Sequence, residues 1–195
     1  MSLAPERRLV LASASPRRLA LLRQIAIEPE RSVHPEIDES VHRGEMPLRV
    51  AQRLARAKAE AVDGGGAWVL GADTVVACGR RMLPKATDEA EARRALEFLS
   101  GRRHRVHTGV CVVDPGGAVR VRVVTTVVAV KRLTAAELAW LLSAGEWEGK
   151  AGGYAIQGRF AAFVKSINGS YTNVVGLPLH ETAALLRGAG FPLAK

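Results

Sequence analysis

Strand and helix patterns alternate along this chain of 195 residues, and that alternation restricts its fold more than any other feature. Apolar or β-rich runs typical of strands lie at residues 9–12, 67–77, 106–113 and 118–130. Helical patterns lie between and after them, near residues 16–26, 47–62, 88–100, 134–144 and 178–187. Such an order is typical of α/β proteins. We therefore predict an α/β fold, in one domain over residues 1–195.

The composition fits a globular protein and argues against several other classes. Hydrophobic residues make up 48% of the chain, which is enough for a sizeable core. No apolar run approaches the roughly 20 residues of a membrane-spanning helix, and the N-terminus shows no signal-peptide pattern. The two cysteines, Cys78 and Cys111, are too few for a disulfide framework or a cysteine zinc site. We expect a cytoplasmic protein with no membrane partner.

The charge of the chain is strongly basic. Its formal net charge is +9, from 28 Lys and Arg against 19 Asp and Glu, which favours either nucleic acid or a highly charged small substrate. Aromatic residues are only 5% of the chain and do not interleave with the basic residues as a base-stacking surface requires. The densest basic cluster, residues 102–105, follows the predicted end of a helix, and we interpret it as a solvated loop in preference to a nucleic-acid patch. Nucleic acid is the less favoured partner, because no motif supports it.

The residues after the first strand indicate an anion-binding turn. Ser15 can cap the following helix, and Pro16 suits its first position, where a missing N–H has no cost. A helix N-terminus offers free N–H groups and a positive dipole end to an anion, and Arg17 and Arg18 add forked charges beside it. Together with Ser13, these residues predict a phosphate-binding turn. A capped helix with two solvated arginines is the alternative.

Three polar residues lie where the hydrophobic pattern predicts core. Lys58 lies on the apolar stripe of the predicted helix 47–62, and for a lone lysine we favour an extension to solvent. Asp73 interrupts the strand run 67–77. A buried carboxylate is costly unless it is paired, hydrogen-bonded or bound to metal, so a catalytic or metal-binding role is favoured over a structural one. Gln157 follows an apolar run, and a buried amide there either reads the edge of a base or ties two loops together.

Four blocks of the sequence together resemble the Maf family of nucleoside triphosphate pyrophosphatases: residues 13–18, 71–76, 149–158 and 167–179. The last two read GKAGGYAIQG and INGSYTNVVGLPL, and the blocks occur in family order over nearly the whole chain. The resemblance implies two lobes around a mixed, twisted β-sheet with flanking helices, similar to inosine triphosphate pyrophosphatases, and a substrate cleft between the lobes. It also implies a homodimer.

The resemblance implies a catalytic set around Asp73. Asp73 matches the family's proton acceptor, and Glu39 matches an acidic position near the metal and the phosphates. Lys58 and Lys85 match catalytic lysines that bind phosphate. The match at Lys85 departs from the family pattern, because Pro84 precedes the lysine here, whereas the family usually has a proline after it.

The remaining matches concern the substrate. Members of the first block contact the triphosphate in this family, and one of its arginines helps to set the base preference. The pair Thr74 and Gln157 marks the branch that acts on dTTP and UTP. The resemblance therefore implies substrate contacts at Ser13, Ser15, Arg17, Arg18, Thr74 and Gln157.

The implied reaction is the hydrolysis of dTTP or UTP between the α and β phosphates, which gives the monophosphate and pyrophosphate. It needs neutralised phosphate oxygens, an in-line water and a divalent cation that bridges phosphates. Glu39 and Asp73 would hold Mg²⁺ or Mn²⁺, with Asp73 as base, metal ligand or both. Two alternatives stay open: a 7-methyl-GTP pyrophosphatase, against which Thr74 and Gln157 argue, and a non-enzymatic role in septum formation or nucleic-acid binding.

Overall fold

The computed structural model describes residues 7–193, and within them one mixed β-sheet is flanked by helices. The strands are β1 (Leu9–Ala12), β2 (Arg31–Ser32), β3 (Trp68–Cys78), β4 (Arg81–Leu83), β5 (Arg103–Val113), β6 (Val119–Val130) and β7 (Val164–Asn168). The helices are α1 (Pro16–Gln24), α2 (Pro47–Glu60), α3 (Glu89–Leu99), α4 (Ala135–Leu142), α5 (Tyr171–Val175) and α6 (Leu179–Gly188). The sheet order is β2-β1-β3-β5-β6-β7, with β4 also paired to β3. β1 runs parallel to β2 and β3, and the other pairs are antiparallel. The predicted α/β class is confirmed.

Helix α2 lies very close to the sheet because two glycines remove side chains from the contact. A Cβ on Gly71 of β3 would lie 2.5 Å from the Ala55 carbonyl oxygen, and one on Gly109 of β5 would overlap the carbonyl of Ala51. Ala51 and Ala55 are one helical turn apart, and Lys58 continues the same face of the helix. The close packing therefore presents Lys58 to β3.

Most predicted elements are present, with small differences at their ends. Helix α2 begins at Pro47 as predicted and ends at Glu60, and the turn at 114–117 joins β5 to β6. Asp88 caps α3 by accepting the Glu91 N–H at 2.7 Å. In the part of the chain that the structure describes, none of the helices is long and apolar enough to cross a membrane.

The basic cluster at residues 102–105 is not the loop that the sequence indicated. β5 begins at Arg103, which pairs with Ala129 of β6. Arg103 and Arg105 are exposed, whereas His104 is 1% exposed, as expected for a strand with one face in the core. The His104 ring nitrogen Nε2 lies 2.7 Å from the Tyr154 hydroxyl. Pairing with β6 extends β5 to Arg103. Residues 103–106 alternate between exposed and buried side chains, but the number of charged residues makes that pattern hard to recognise in the sequence.

The glycine-rich segment from residue 149 to residue 176 contains three short elements that the sequence pattern did not predict. They are a 3-10 helix (Arg159–Phe163), β7 and α5. Ser170 caps α5, because its hydroxyl accepts the Asn173 N–H at 3.2 Å. In this segment, β7 forms the edge of the sheet next to β6, and α5 then contacts α1.

Candidate active site

One cleft of about 310 Å³ gathers every residue that the sequence singled out as a site candidate. Its walls come from the turn before α1, the loop after β2, α2, β3, and the segments 149–157 and 174–176. The candidates that line it are Ser13, Ser15, Arg17, Arg18, Glu39, Lys58, Asp73, Thr74, Lys85 and Gln157. The fold thus brings together residues from most of the length of the chain.

Glu39, Lys58 and Asp73 form a group of charges that we call the Lys58 cluster. Lys58 and Asp73 are each 5% exposed. The Lys58 ammonium lies 2.6 Å from Asp73 Oδ1 and 2.6 Å from Glu39 Oε1. The expectation that Lys58 extends to solvent is therefore wrong. A buried ammonium is stable only with a negative partner, and here Asp73 and Glu39 both serve as partners. The same contact gives the buried Asp73 its counter-charge.

Lys85 extends the Lys58 cluster on its exposed side. Its ammonium lies 3.2 Å from Glu39 Oε2, so Glu39 bridges two lysines. Burial opposes the ionisation of Glu39, but hydrogen bonds and charges from Lys58 and Lys85 outweigh it and lower the pKa of the carboxyl. Glu39 is therefore a carboxylate at neutral pH.

Two carboxylates of the cleft, Asp73 and Glu39, suit a divalent cation. Each places one oxygen 2.6 Å from the same lysine nitrogen, so these two oxygens are at most twice that distance apart. Within residues 7–193, no three His, Cys, Asp or Glu side chains converge as a metal site. Mg²⁺ in phosphate-processing sites is usually held by one or two carboxylates together with substrate phosphates and water. The pair therefore fits a metal that is held jointly with a polyphosphate.

Arg18 is half-buried, and three protein oxygens accept hydrogen bonds from its guanidinium. It donates to Ser13 Oγ at 3.0 Å, to Thr74 Oγ1 at 3.2 Å and to the Gly176 carbonyl at 2.9 Å. Burial lowers the pKa of Arg18, and the charge of Asp73 opposes that effect. Arg18 thus ties the turn before α1 to β3 and to the end of α5.

Arg17 lies next to Arg18 in the first turn of α1, and it is partly exposed in the cleft. Burial lowers its pKa, with no neighbouring charge to offset the effect. The predicted Ser15 cap is wrong in one respect: Ser15 occupies the N-cap position, but its side chain makes no capping hydrogen bond. Instead, Ser13 Oγ accepts the Ser15 N–H at 3.2 Å. The first turn of α1 therefore keeps N–H groups that a ligand can bind.

Gln157 is exposed in the cleft, so the expectation of a buried amide is wrong. Its neighbour Ile156 is 4% exposed and Tyr154 is 7% exposed. The apolar side chains of this segment enter the core and leave the amide on the cleft side. Among residues 7–193 the amide makes no hydrogen bond to protein, so it does not tie two loops together. Its donors and acceptor remain available to a ligand.

The sequence reasoning missed three cleft residues with titratable side chains: His34, Lys150 and Tyr154. The Tyr154 ring stacks on Phe160 with the centroids 4.0 Å apart, and burial raises the pKa of its hydroxyl. Lys150 and Tyr154 lie inside the block 149–158, which could have indicated them. His34 carried no signal in the sequence.

The family model described as Maf-like protein matches residues 8–189 of this chain. A protein from Paramagnetospirillum magneticum named dTTP/UTP pyrophosphatase is 62% identical, over 94% of this chain and 97% of its own. Proteins with the same name from Hyphomonas neptunium and Rhodopseudomonas palustris (strain BisB5) are 56% and 54% identical, over 94% and 95% of this chain and 96% and 94% of theirs. A solved nucleoside-triphosphatase / dITP/XTP pyrophosphatase from Mycobacterium abscessus is 18% identical, with a TM-score of 0.40 over 66% of this chain and 75% of its own. That structural likeness is too weak to carry an argument.

Proposed function

The chain belongs to the Maf-like protein family, and we propose that it hydrolyses dTTP and UTP to the monophosphate and pyrophosphate. The observation that carries the proposal is the Lys58–Asp73 pair, buried in a cleft with further cations, in a chain 62% identical to a relative named dTTP/UTP pyrophosphatase. Such an activity would be a housekeeping function that controls the nucleotide pool.

Asp73 is proposed as the base that activates the attacking water. Lys58 donates to Asp73 Oδ1 at 2.6 Å, and among residues 7–193 no protein group bonds to Oδ2. Oδ2 can therefore accept a proton from a water that attacks the α phosphorus in line with the departing pyrophosphate. Lys58 holds the carboxylate in position for that transfer. Assistance by a positioned base contributes about 10²–10⁴-fold to such reactions.

The cations of the cleft would neutralise the phosphate oxygens. Negative charge moves onto the departing pyrophosphate in the transition state, so fixed positive charges at that place lower the barrier. The positions of Lys85 and Arg17 in the cleft support this role. A divalent cation, Mg²⁺ or Mn²⁺, would be held by Glu39 and Asp73 and would supply further neutralisation of the phosphate charge.

The base preference is proposed to depend on Gln157 and Thr74. Thymine and uracil present a carbonyl at position 4 beside an N–H at position 3, and one amide side chain can bond both groups. Cytosine presents a donor and an unprotonated nitrogen at these positions, so the same amide would face mismatched groups. Each polar group left unpaired costs about 1–3 kcal/mol, which gives roughly tenfold discrimination or better.

A panel of nucleotides tests the proposal. Pyrophosphate release would be measured with Mg²⁺ or Mn²⁺ for dTTP, UTP, CTP, the purine triphosphates and 7-methyl-GTP. We expect rapid release from dTTP and UTP and slow release from the others. Equal rates on dTTP, CTP and GTP would refute the base preference, and preferential release from 7-methyl-GTP would favour the other branch. Absence of release from every nucleotide would refute the enzymatic proposal.

The proposal extends to compartment and assembly. Cys78 and Cys111 are both free thiols, which suits a reducing cytoplasm where nucleotide pools are found. The family resemblance favours a homodimer. Light scattering during size-exclusion chromatography would measure the assembly directly, and a monomer at micromolar concentration would refute this part.

A further inference from the structure

Two cations of the cleft, Arg17 and Lys150, differ from the others because the described part of the chain gives them neither a carboxylate partner nor, as for Arg18, a set of three neutral acceptor oxygens. Lys58 and Lys85 are ion-paired with Glu39. In contrast, among residues 7–193 no carboxylate lies within ion-pair distance of Arg17 or Lys150. The Lys150 ammonium has one hydrogen-bond partner, the Glu148 carbonyl oxygen at 3.0 Å.

The backbone around Lys150 is held rigidly beside that of Lys85. The Gly149 N–H donates to the Ala86 carbonyl at 2.9 Å, and the Ala86 N–H donates to the Lys150 carbonyl at 3.2 Å. Lys85 also forms an isolated antiparallel bridge with Ala151. This short ladder fixes the Lys150 backbone at the wall of the cleft, although the segment belongs to no regular strand. The position of Lys150 is therefore a built feature of the site.

Lys150 also lies in an unfavourable electrostatic environment. Partial burial lowers its pKa, and the nearby charge of Arg17 lowers it further. Glu148 and Glu146 oppose the effect, but neither comes within ion-pair distance of the ammonium. Two partly desolvated cations that repel each other are stabilised by an anion placed between them. Because the protein supplies no such anion, the arrangement suits an anionic ligand.

We propose that Lys150, together with Arg17, binds the polyphosphate tail of the substrate, an assignment that rests on the proposed nucleotide hydrolysis. Arg17 can bond two phosphate oxygens through its planar fork, whereas Lys150 acts as a compact charge. Arg17 lies in the first turn of α1, and Lys150 lies in the segment before the 3-10 helix. A bound polyphosphate therefore links these two walls of the cleft.

The test measures anion binding and catalysis separately. Lys150→Met keeps the length of the half-buried stem and removes the charge. Lys165→Met is the matched control, because Lys165 is exposed on β7 and does not line the cleft. Binding of inorganic tripolyphosphate would be measured by titration calorimetry, and kcat and KM for dTTP would be measured in parallel. If Lys150→Met does not fold, as judged by circular dichroism, Lys150→Gln replaces it and is interpreted in the same way.

We expect Lys150→Met to raise the Kd of tripolyphosphate and the KM for dTTP by about tenfold or more, as for a lost charge-assisted hydrogen bond. Lys165→Met should change either value less than about twofold. Unchanged tripolyphosphate binding in Lys150→Met, or an equal loss in both variants, overturns the assignment of Lys150. If the wild-type protein binds tripolyphosphate through Lys150 but releases no pyrophosphate from dTTP, the hydrolysis proposal fails and the anion site stands.

Discussion

Lys58 and Asp73 are each 5% exposed and bond each other, whereas Arg17 and Lys150 line the same cleft, lie partly exposed and have no carboxylate partner among the described residues. The first pair is held by a helix and a strand, α2 and β3, which pack closely at two glycines. In the second pair, Arg17 lies in the first turn of α1 and Lys150 lies outside the regular strands and helices. We therefore distinguish positioned charges, such as Lys58 and Asp73, from uncompensated charges, such as Arg17 and Lys150. The first kind is suited to catalysis and the second to binding an anionic ligand.

The two pairs should respond differently to substitution. A buried ion pair contributes little net stability, but removal of one partner leaves an uncompensated charge and costs several kcal/mol. Removal of a cation that repels its neighbour should cost no stability and can improve it. Substitutions in the Lys58 cluster should therefore affect both folding and catalysis, and substitutions at Arg17 or Lys150 should affect ligand binding alone.

The largest effect is expected for Asp73→Asn. Asparagine keeps the shape of the side chain and can still accept the Lys58 hydrogen bond, but it cannot take a proton from water. Lys58 keeps Glu39 as an ion-pair partner, so the fold should persist. We expect kcat for dTTP to fall by about 10²–10⁴-fold. Asp63→Asn, at an exposed position outside the cleft, is the control, and an Asp73→Asn turnover above about a tenth of the wild-type value would contradict the base assignment.

Lys58→Met should reduce both stability and activity. The variant leaves Asp73 and Glu39 as neighbouring carboxylates without their shared cation, so their like charges repel each other. We expect a loss of about 3–5 kcal/mol in the free energy of unfolding at neutral pH. Protonation at lower pH removes one of the two repelling charges, so acidification should recover part of the loss. Urea titrations at neutral and mildly acid pH measure this, and a stability equal to the wild type at both would contradict the pair.

The sequence predicted the fold class and the contents of the cleft because both depend on short patterns. A charged residue on an apolar stripe, Lys58, and one inside a strand, Asp73, stand out against their neighbours in any sequence with a core. Their pairing could not be derived without the structure, since it requires α2 to cross β3 at Gly71. The charge of Lys58 and of Asp73 indicated that each needs a partner in the core, and the packing of α2 on β3 makes them partners of each other.

Other features of the site were beyond the sequence for a physical reason. Arg17 and Arg18 are adjacent and identical in type, so only the direction of each side chain separates Arg18, which bonds three protein oxygens, from Arg17, which bonds none among residues 7–193. Gln157 follows an apolar residue, but it lies in an irregular segment in which no period of two or 3.6 fixes the buried side. Lys150 lies in the block 149–158, but its lack of a carboxylate partner among residues 7–193 is visible only in the structure.

A matched pair of substitutions, Arg18→Lys and Arg17→Lys, sharpens the comparison inside one motif. Lysine cannot reach the three acceptors that Arg18 bonds, so Thr74 and the Gly176 carbonyl would lose partners. We expect Arg18→Lys to lower the free energy of unfolding by about 1–3 kcal/mol. Arg17→Lys should change it by less than about 0.5 kcal/mol while raising the KM for dTTP. Denaturant titrations would show the contrast, and equal stability losses in the two variants would remove the distinction between them.

The smallest change in stability and activity is expected for a substitution of Glu45. Glu45 helps to hold the loop that carries Glu39, so the substitution tests whether Glu39 is a positioned charge. Arg53 of α2 donates to both Glu45 carboxylate oxygens at 2.8 Å and to the Ser40 carbonyl at 2.9 Å, so it fastens the loop just after Glu39. Glu45→Gln should lower the free energy of unfolding by about 0.5–1 kcal/mol at neutral pH and raise the KM for dTTP modestly.

The pH dependence of that effect follows from the ion pair. The hydrogen bond from Arg53 lowers the pKa of Glu45 from 4.5 to about 2. A carboxyl with a lowered pKa stabilises the fold above its unfolded value, and the contribution is lost as the pH falls through the folded value. The stability difference between the wild type and Glu45→Gln should therefore be constant above about pH 6 and should shrink steadily towards about pH 3. Urea titrations of both proteins across that range measure it. A difference that persists undiminished at the acid end would mean that the pair does not hold the loop, and Glu39 would then not count among the positioned charges.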